Sequence, residues 1–144
     1  MSSSTSVKCV TLPAGEVLAG DLYELVKIED DAGVGKVIKT TAATDTAVGV
    51  VYESMDDQSG ADGEPVTVAL IAAGGIGEVK AGGAITAGDI VVPDAAVAGR
   101  AASGGADVAA LAADVVGVGI ALETAADGDV FKVLFQQVTS ALSA

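Results

Sequence analysis

The side chains in this sequence that could do chemistry are nearly all carboxylates. Asp56-Asp57, with Asp62 and Glu64, form the densest acidic cluster, and Glu29-Asp30-Asp31 and the pair Asp127/Asp129 are smaller groups of the same kind. Several oxygens in one loop can hold Ca²⁺, but the ligand spacing of an EF-hand is absent, and the plainer reading is a solvated loop. Two carboxylates can also cleave a glycosidic bond. A sugar site wants aromatic rings to stack against, however, and the chain has two Phe, two Tyr and no Trp. The sequence has no His, so the commonest general base and a principal zinc ligand are missing. No Gly-x-Ser-x-Gly elbow or Gly-x-x-x-x-Gly-Lys loop occurs, and Gly75-Ile76-Gly77 is not completed into a dinucleotide fingerprint. Lys80, in Gly77-Glu78-Val79-Lys80, lies in a phrase like that of biotinyl and lipoyl domains, but it lacks the Met or Asp-Lys-Ala neighbours of a carrier lysine. Cys9 is the only cysteine. It cannot close a disulfide within the chain and reads as a small buried hydrophobe in a strand. No catalytic residue, cofactor or metal ligand is assigned, and a hydrolase using Asp56, Asp57 or Glu64 ranks last among the functional readings.

The elements that would carry such residues are short and β-like. Cys9–Leu12 is β-prone and ends at Pro13-Ala14-Gly15. Gly20-Asp21 makes a turn into a strand over Leu22–Ile28, in which Glu24 breaks the alternation. Residues 29–33 form a hairpin loop, and Lys36–Lys39 returns. Ala47–Tyr52 is apolar on both faces and is expected at the centre of a sheet. Val66, Val68 and Leu70 alternate with Thr67, Ala69 and Ile71, and Phe131, Val133 and Phe135 do the same with Lys132, Leu134 and Gln136. Gly104–Asp114 differs: Asp107 caps a short Ala-rich helix through Leu111, or the segment is an ordered loop. The fold class expected is all-β, a compact β-sandwich or barrel with at most one short helix.

The pattern also repeats. Ala19-Gly20-Asp21 recurs as Ala87-Gly88-Asp89, and Val48-Gly49-Val50 as Val116-Gly117-Val118, both at a spacing of 68 residues. Asp127-Gly128-Asp129 echoes Asp62-Gly63-Glu64 three residues early. Three landmarks in one order imply a duplicated β unit. The expected organisation is an N-terminal arm (1–12), a single β domain (13–138) with its repeat at about 14–71 and 81–136, and a C-terminal tail (139–144).

Composition narrows the partners. Twenty acidic and seven singly placed basic residues give a net charge of −13. With no basic patch to neutralise phosphates, neither nucleic acid nor an anionic membrane surface is an expected partner. The start MSSSTSVK lacks the basic and apolar regions of a secretory signal, and no apolar run approaches a membrane span, so a soluble protein made in the cytosol is expected. The core is built largely of Ala and Val, which contribute little burial per residue. Such a fold gains from association with a partner or with its own copies.

The stretches GEVKAGGAITAGDIVVPDAAVAGRAA and DVVGVGIALETAADGDVFKVLF resemble the capsid cement or decoration proteins of tailed bacteriophages, the DUF2190-like family. The resemblance runs from about Gly77 to Phe135, through the phrases at Ala81–Val91, Val115–Thr124 and Gly128–Leu134. It covers the first half more loosely, through the repeat. The chain departs from the family phrasing in the insertion Ala101–Asp114 and the acidic loop Asp56–Gly63. The resemblance implies a non-catalytic virion protein, made in the host cytoplasm and bound as a homotrimer outside the capsid. There it would bridge neighbouring copies of the major capsid protein. The polar N-terminal arm is the expected capsid contact: Ser2, Ser3, Ser4, Thr5, Ser6, Val7, Lys8, Cys9 and Val10. The alternative is a barrel-sandwich binding module, such as an adhesin or a fibre base, also without catalysis.

Overall fold

The computed structural model describes residues 7–18, 21–53 and 63–139. Ten strands run in chain order: β1 (Cys9–Pro13), β2 (Leu25–Asp31), β3 (Val34–Lys39), β4 (Gly49–Glu53), β5 (Pro65–Leu70), β6 (Ile76–Lys80), β7 (Ile90–Pro93), β8 (Ala101–Ser103), β9 (Val116–Ala121) and β10 (Val130–Thr139). They form two five-stranded antiparallel sheets, ordered β1-β5-β4-β2-β3 and β6-β10-β9-β7-β8. Adding five to each strand of the first order gives the second, so the topology is duplicated. Each sheet curls until its edges meet. Ala14 bridges Val37 beside β1 and β3, and Ala81 bridges Ala101 beside β6 and β8. The all-β class expected from the sequence holds, as two small barrel-like units. The segment 104–114 is a loop with one 3₁₀ turn, Val108–Ala110, whose first turn is capped where Asp107 accepts a hydrogen bond from the Ala109 N–H (3.1 Å).

Backbone hydrogen bonds fix the register of the repeat. The Ala14 N–H donates to the Glu64 carbonyl and the Ala81 N–H to the Asp129 carbonyl, both at 2.8 Å. The Tyr23 N–H donates to the Val51 carbonyl (2.7 Å), as the Gly88 N–H does to that of Ala121 (2.8 Å). Gly49 lies opposite Leu70, and Gly119 opposite Phe135. The equivalent of Gly49 is therefore Gly119, not Gly117, and the equivalent of Gly88-Asp89 is Tyr23-Glu24, not Gly20-Asp21. The uniform spacing of 68 residues is thus corrected: equivalent residues are 65 apart in β2 and β7 but 70 apart in β4 and β9. The Asp-Gly-acid phrase, at a spacing of 65, is the landmark that aligns. Gly63 and Gly128 occupy the same turn, with φ of 85° and 87°, a conformation open to glycine without steric cost.

The same comparison explains why β2 begins at Leu25 rather than at Leu22. Tyr23 has φ 68°, the left-handed conformation that Gly88 supplies in the second unit. No strand can run through it. The β2–β3 hairpin is tighter than the five-residue loop expected. Asp31 pairs with Val34 across Ala32 and Gly33, both at positive φ (55° and 89°), the two-residue turn whose twist matches the strands it joins.

Each unit has its own core, of unequal strength. In the first, Val26, Val37, Val51, Val66 and Val68 are buried together. In the second, Phe131, Val133 and Phe135 of β10 are buried with Val79, Val91, Ala101 and Ala121. Phe131 stands where the first unit has Val66, so both phenylalanines anchor the second unit. Leu25, Val50, Ala69 and Ile71, on the outward face of the first sheet, belong to that same second core. The back of unit one thus packs against unit two. The Leu25 N–H donates to the Gly99 carbonyl (2.6 Å), the Gly99 N–H to Thr40 (2.8 Å) and the Lys80 N–H to Tyr23 (2.9 Å). These bonds tie the β7–β8 connection and the end of β6 to the first sheet.

Candidate interaction surfaces

Two of the carboxylates singled out by the sequence, Asp30 and Asp129, make turns. Asp30 accepts from the Gly33 N–H (2.9 Å) and closes the β2–β3 hairpin, while Asp31 pairs with Lys36 (2.8 Å). Asp89 accepts from the Thr86 N–H (2.9 Å) and the Ser103 hydroxyl (2.8 Å), and Asp129 from the Ala126 N–H (2.9 Å). Such side-chain bonds fix the chain as it turns into a strand. Asp56, Asp57 and Asp62 lie outside the described residues; Glu64 is half-buried beside the Gly63 turn. Among the described residues no three of His, Cys, Asp and Glu are grouped to hold a metal ion. A polar depression of about 250 Å³ beside the β2–β3 hairpin is lined by Glu29, Asp30, Asp31 and Lys36 with Gly15 and Ile38. Of its carboxylates, Asp30 is engaged in the turn and Asp31 in the ion pair with Lys36.

The polar group that sequence reasoning missed lies in the seam between units. Glu24 is only 6% exposed. Its carboxylate sits 3.6 Å from Arg100 Nε, and Arg100 also donates to the Ala81 carbonyl (3.4 Å) and faces Asp127 at 3.7 Å. Lys39 pairs with Asp21 nearby at 3.3 Å. Burial pushes the Glu24 carboxyl above its usual range and Asp21 adds to this, against the pull of Lys39, Arg100 and Lys80. The equivalent residue in the second unit, Asp89, is an ordinary turn-maker. The first unit has lengthened that turn carboxylate and aimed it at the partner unit. Its signal in the sequence was the break it makes in the alternation of the second strand. Asp45 is a different case: the Thr41 N–H (2.7 Å) lowers its carboxyl most, and the Ala42 N–H (3.0 Å) and Lys27 (3.1 Å) lower it further.

Of the expected contact arm, Ser2, Ser3, Ser4, Thr5 and Ser6 lie outside the described residues. Val7 packs against the second core. The Lys8 carbonyl accepts from the Leu70 N–H (2.8 Å), and Cys9 and Val10 pair with Ala69 and Val68. Residues 8–10 are therefore built into the first sheet. Cys9 is on a strand, as read, but its side chain is exposed rather than buried, because it points to the outward face at the sheet edge.

Among the described residues, the outward face of β6, β10 and β9 carries a group of exposed apolar side chains. Ile76 is opposite Leu134, which is opposite Ile120. One step along, Glu78, Lys132 and Leu122 form the next row, and Lys80 and Val130 a third. Leu122, Val130 and Leu134 are exposed, and Ile76 and Ile120 half-buried.

No protein-family model matches the chain, so membership of the DUF2190-like family is not shown, and no curated protein matches it. Among solved structures the fold is similar to the N base of the head fibre gp8.5 of bacteriophage phi29. The TM-score is 0.63 at 17% identity, over 91% of this chain and 95% of that one. At that identity the likeness is one of fold.

Proposed function

We propose that this chain is a structural protein of a bacteriophage head, a decoration protein on the outer surface that bridges neighbouring major capsid subunits. The observation that carries the reading is the fold shared, over nearly the whole of both chains, with the base of a phage head fibre. Physical features agree with it. Among the described residues Asp30, Asp89 and Asp129 are occupied in turns and Glu24 in the seam between units. The net charge of −13 suits an exterior position, where it keeps the surface soluble and away from packaged DNA. The chain works by docking, as a homotrimer on the local symmetry of the shell, with its arm, Ser2–Val10, as the capsid contact; within that arm Val7 packs against the second core and residues 8–10 present themselves from the edge of the first sheet. A second reading, an anchoring module for a fibre, is favoured by the fibre base itself as structural neighbour.

The test is to mix purified chain with heads that lack it and sediment them. Binding that saturates at a fixed number of copies per head is expected. The decoration reading further expects decorated heads to retain their DNA to a higher temperature than bare ones, whereas an anchor binds without that gain. A chain left wholly in the supernatant would remove both readings.

A further inference from the structure

The two units are joined in two ways. One is apolar: Leu25, Val50, Ala69 and Ile71 of the first sheet are buried in the core of the second unit. The other is polar and lies beside it. The β7–β8 connection, residues 94–100, reaches the first unit through Gly99 and Arg100. The Gly99 carbonyl accepts from the Leu25 N–H (2.6 Å), and the Gly99 N–H donates to the Thr40 carbonyl (2.8 Å). Gly99 is pressed against the Glu24 side chain. A Cβ there would run into the Glu24 carboxylate and stand 3.1 Å from the Lys39 Cδ.

The charges of this polar joint are poorly matched. Arg100 is the only arginine of the chain. It is divided between Glu24 of the first unit, at 3.6 Å, and Asp127 of the second, at 3.7 Å. Both distances are longer than a hydrogen bond, and among the described residues the buried Arg100 Nε has no hydrogen-bond partner. Lys39, at the end of β3, is drawn to Asp21 (3.3 Å), and Lys80, at the end of β6, pulls on Glu24 less than Lys39 or Arg100 does. Asp94, buried in the β7–β8 connection, is engaged by the Ala96 N–H (2.7 Å). Asp21 adds a second negative charge from the turn that carries Glu24. A buried ion pair repays its lost hydration only when its geometry is close and its remaining polar atoms are satisfied. Neither holds here, and Glu24 is 6% exposed. Neutral, the same side chain fills the seam without that cost. Closing the seam therefore favours the protonated acid, in agreement with the direction in which burial moves this carboxyl.

The second unit supplies a built-in control. There the Ile90 N–H donates to the Gly105 carbonyl (2.8 Å), as the Leu25 N–H does to that of Gly99. The counterpart of Glu24 is Asp89, half-buried and hydrogen-bonded to the Thr86 N–H and the Ser103 hydroxyl. No buried carboxylate stands against that contact.

We infer that the seam is a proton-sensitive latch: the β7–β8 connection is held against the first unit most firmly when Glu24 is neutral, and it opens locally, with the apolar joint intact, more often once Glu24 is ionised. The proton is taken up on closing and given back on opening, so each pH sets the balance between the two states.

The experiment is amide hydrogen exchange of the full chain, read residue by residue by nuclear magnetic resonance from acid to neutral pH, with each rate divided by the intrinsic chemical rate at that pH. In the wild type the protection of the Leu25 and Gly99 amides is expected to fall severalfold as pH rises, while that of Ile90 stays level. In Glu24→Gln, which cannot titrate, the Leu25 and Gly99 amides are expected to keep one protection throughout, and an unchanged Ile90 amide shows that the variant is folded. Leu25 and Gly99 protection that is constant or rises with pH, a fall shared equally by Ile90, or a fall that persists in Glu24→Gln would each overturn the latch.

Discussion

Replacing Gly119 with Ala tests the register of the repeat directly. A Cβ at Gly119 would be driven into the Leu134 backbone carbonyl and the Val133 side chain. At Gly49 it would meet the Ala69 carbonyl and the Val68 side chain, the equivalent atoms one unit earlier. Backbone in a paired strand cannot step aside as a side chain can, so each strand pair must separate locally. Overpacking of this kind costs about 1–3 kcal/mol. In a chain of this size each kcal/mol lowers the melting temperature by roughly 2–4 °C. Gly49→Ala and Gly119→Ala are therefore expected to melt about 3–10 °C below wild type, by similar amounts. At Gly117 the nearest atom is the Ile90 Cγ2 at 2.7 Å, with the Val91 carbonyl at 3.3 Å. A side-chain methyl yields more readily, and Gly117→Ala should cost less than half as much as Gly119→Ala. Gly83, whose Cβ would meet nothing within 4 Å, is the control and should be neutral. Thermal melts followed by far-ultraviolet circular dichroism read all four. A Gly117→Ala loss larger than that of Gly119→Ala would refute the equivalence of Gly49 with Gly119.

Three further outcomes follow from the packing and charge. Phe131→Ala should cost about 3–5 kcal/mol, well above Val66→Ala at the equivalent place, where fewer buried methylenes are lost at about 0.8 kcal/mol each before any cavity; urea unfolding compares them. The folded Glu24 carboxyl lies above its unfolded value, so its contribution to stability is present below that unfolded value and is lost as pH rises through the folded one. Glu24→Gln, which cannot titrate, should therefore gain on wild type as pH rises from acid to neutral, and a gain that shrinks instead would contradict the buried seam. Asp45 has the opposite sign: its folded value is lowered, so its contribution is present above the unfolded value and lost as pH falls through the folded one. Asp45→Asn should destabilise by about 1 kcal/mol at neutral pH, with the difference from wild type fading in acid.

Much of the fold was legible because strands with one buried face write a period of two. Val66–Leu70 and Phe131–Phe135 alternate in the sequence and are β5 and part of β10, with Val66, Val68, Phe131, Val133 and Phe135 all buried. Ala47–Tyr52, apolar throughout, overlaps β4 at the centre of its sheet, with Val50 and Val51 buried and Tyr52 exposed. The register of the repeat was not legible. Val116-Gly117-Val118 copies the letters of Val48-Gly49-Val50 while Gly119 holds the equivalent place, and the sequence alone cannot tell Gly117 from Gly119. Tyr23 was hidden for a related reason: a tyrosine in the left-handed conformation gives no sign of standing where the second unit uses Gly88. The turn-closing role of Asp30 and Asp129 could not be read, since a carboxylate that closes a turn and one that is merely solvated look alike until their hydrogen bonds are seen. The exposed back of the second sheet could not be read either. Leu134 lies in an alternating strand whose partners on both sides must be known before its outward neighbours are.

The account rests on the chain binding the outside of a phage head. The most direct measurement is a pair of cryo-electron-microscopy maps of heads with and without the purified chain. The account predicts added density with the shape of two joined five-stranded units, on the outer surface, spanning the junctions between major capsid subunits. Maps that are the same in both samples, or density confined to the inside of the shell, would contradict it.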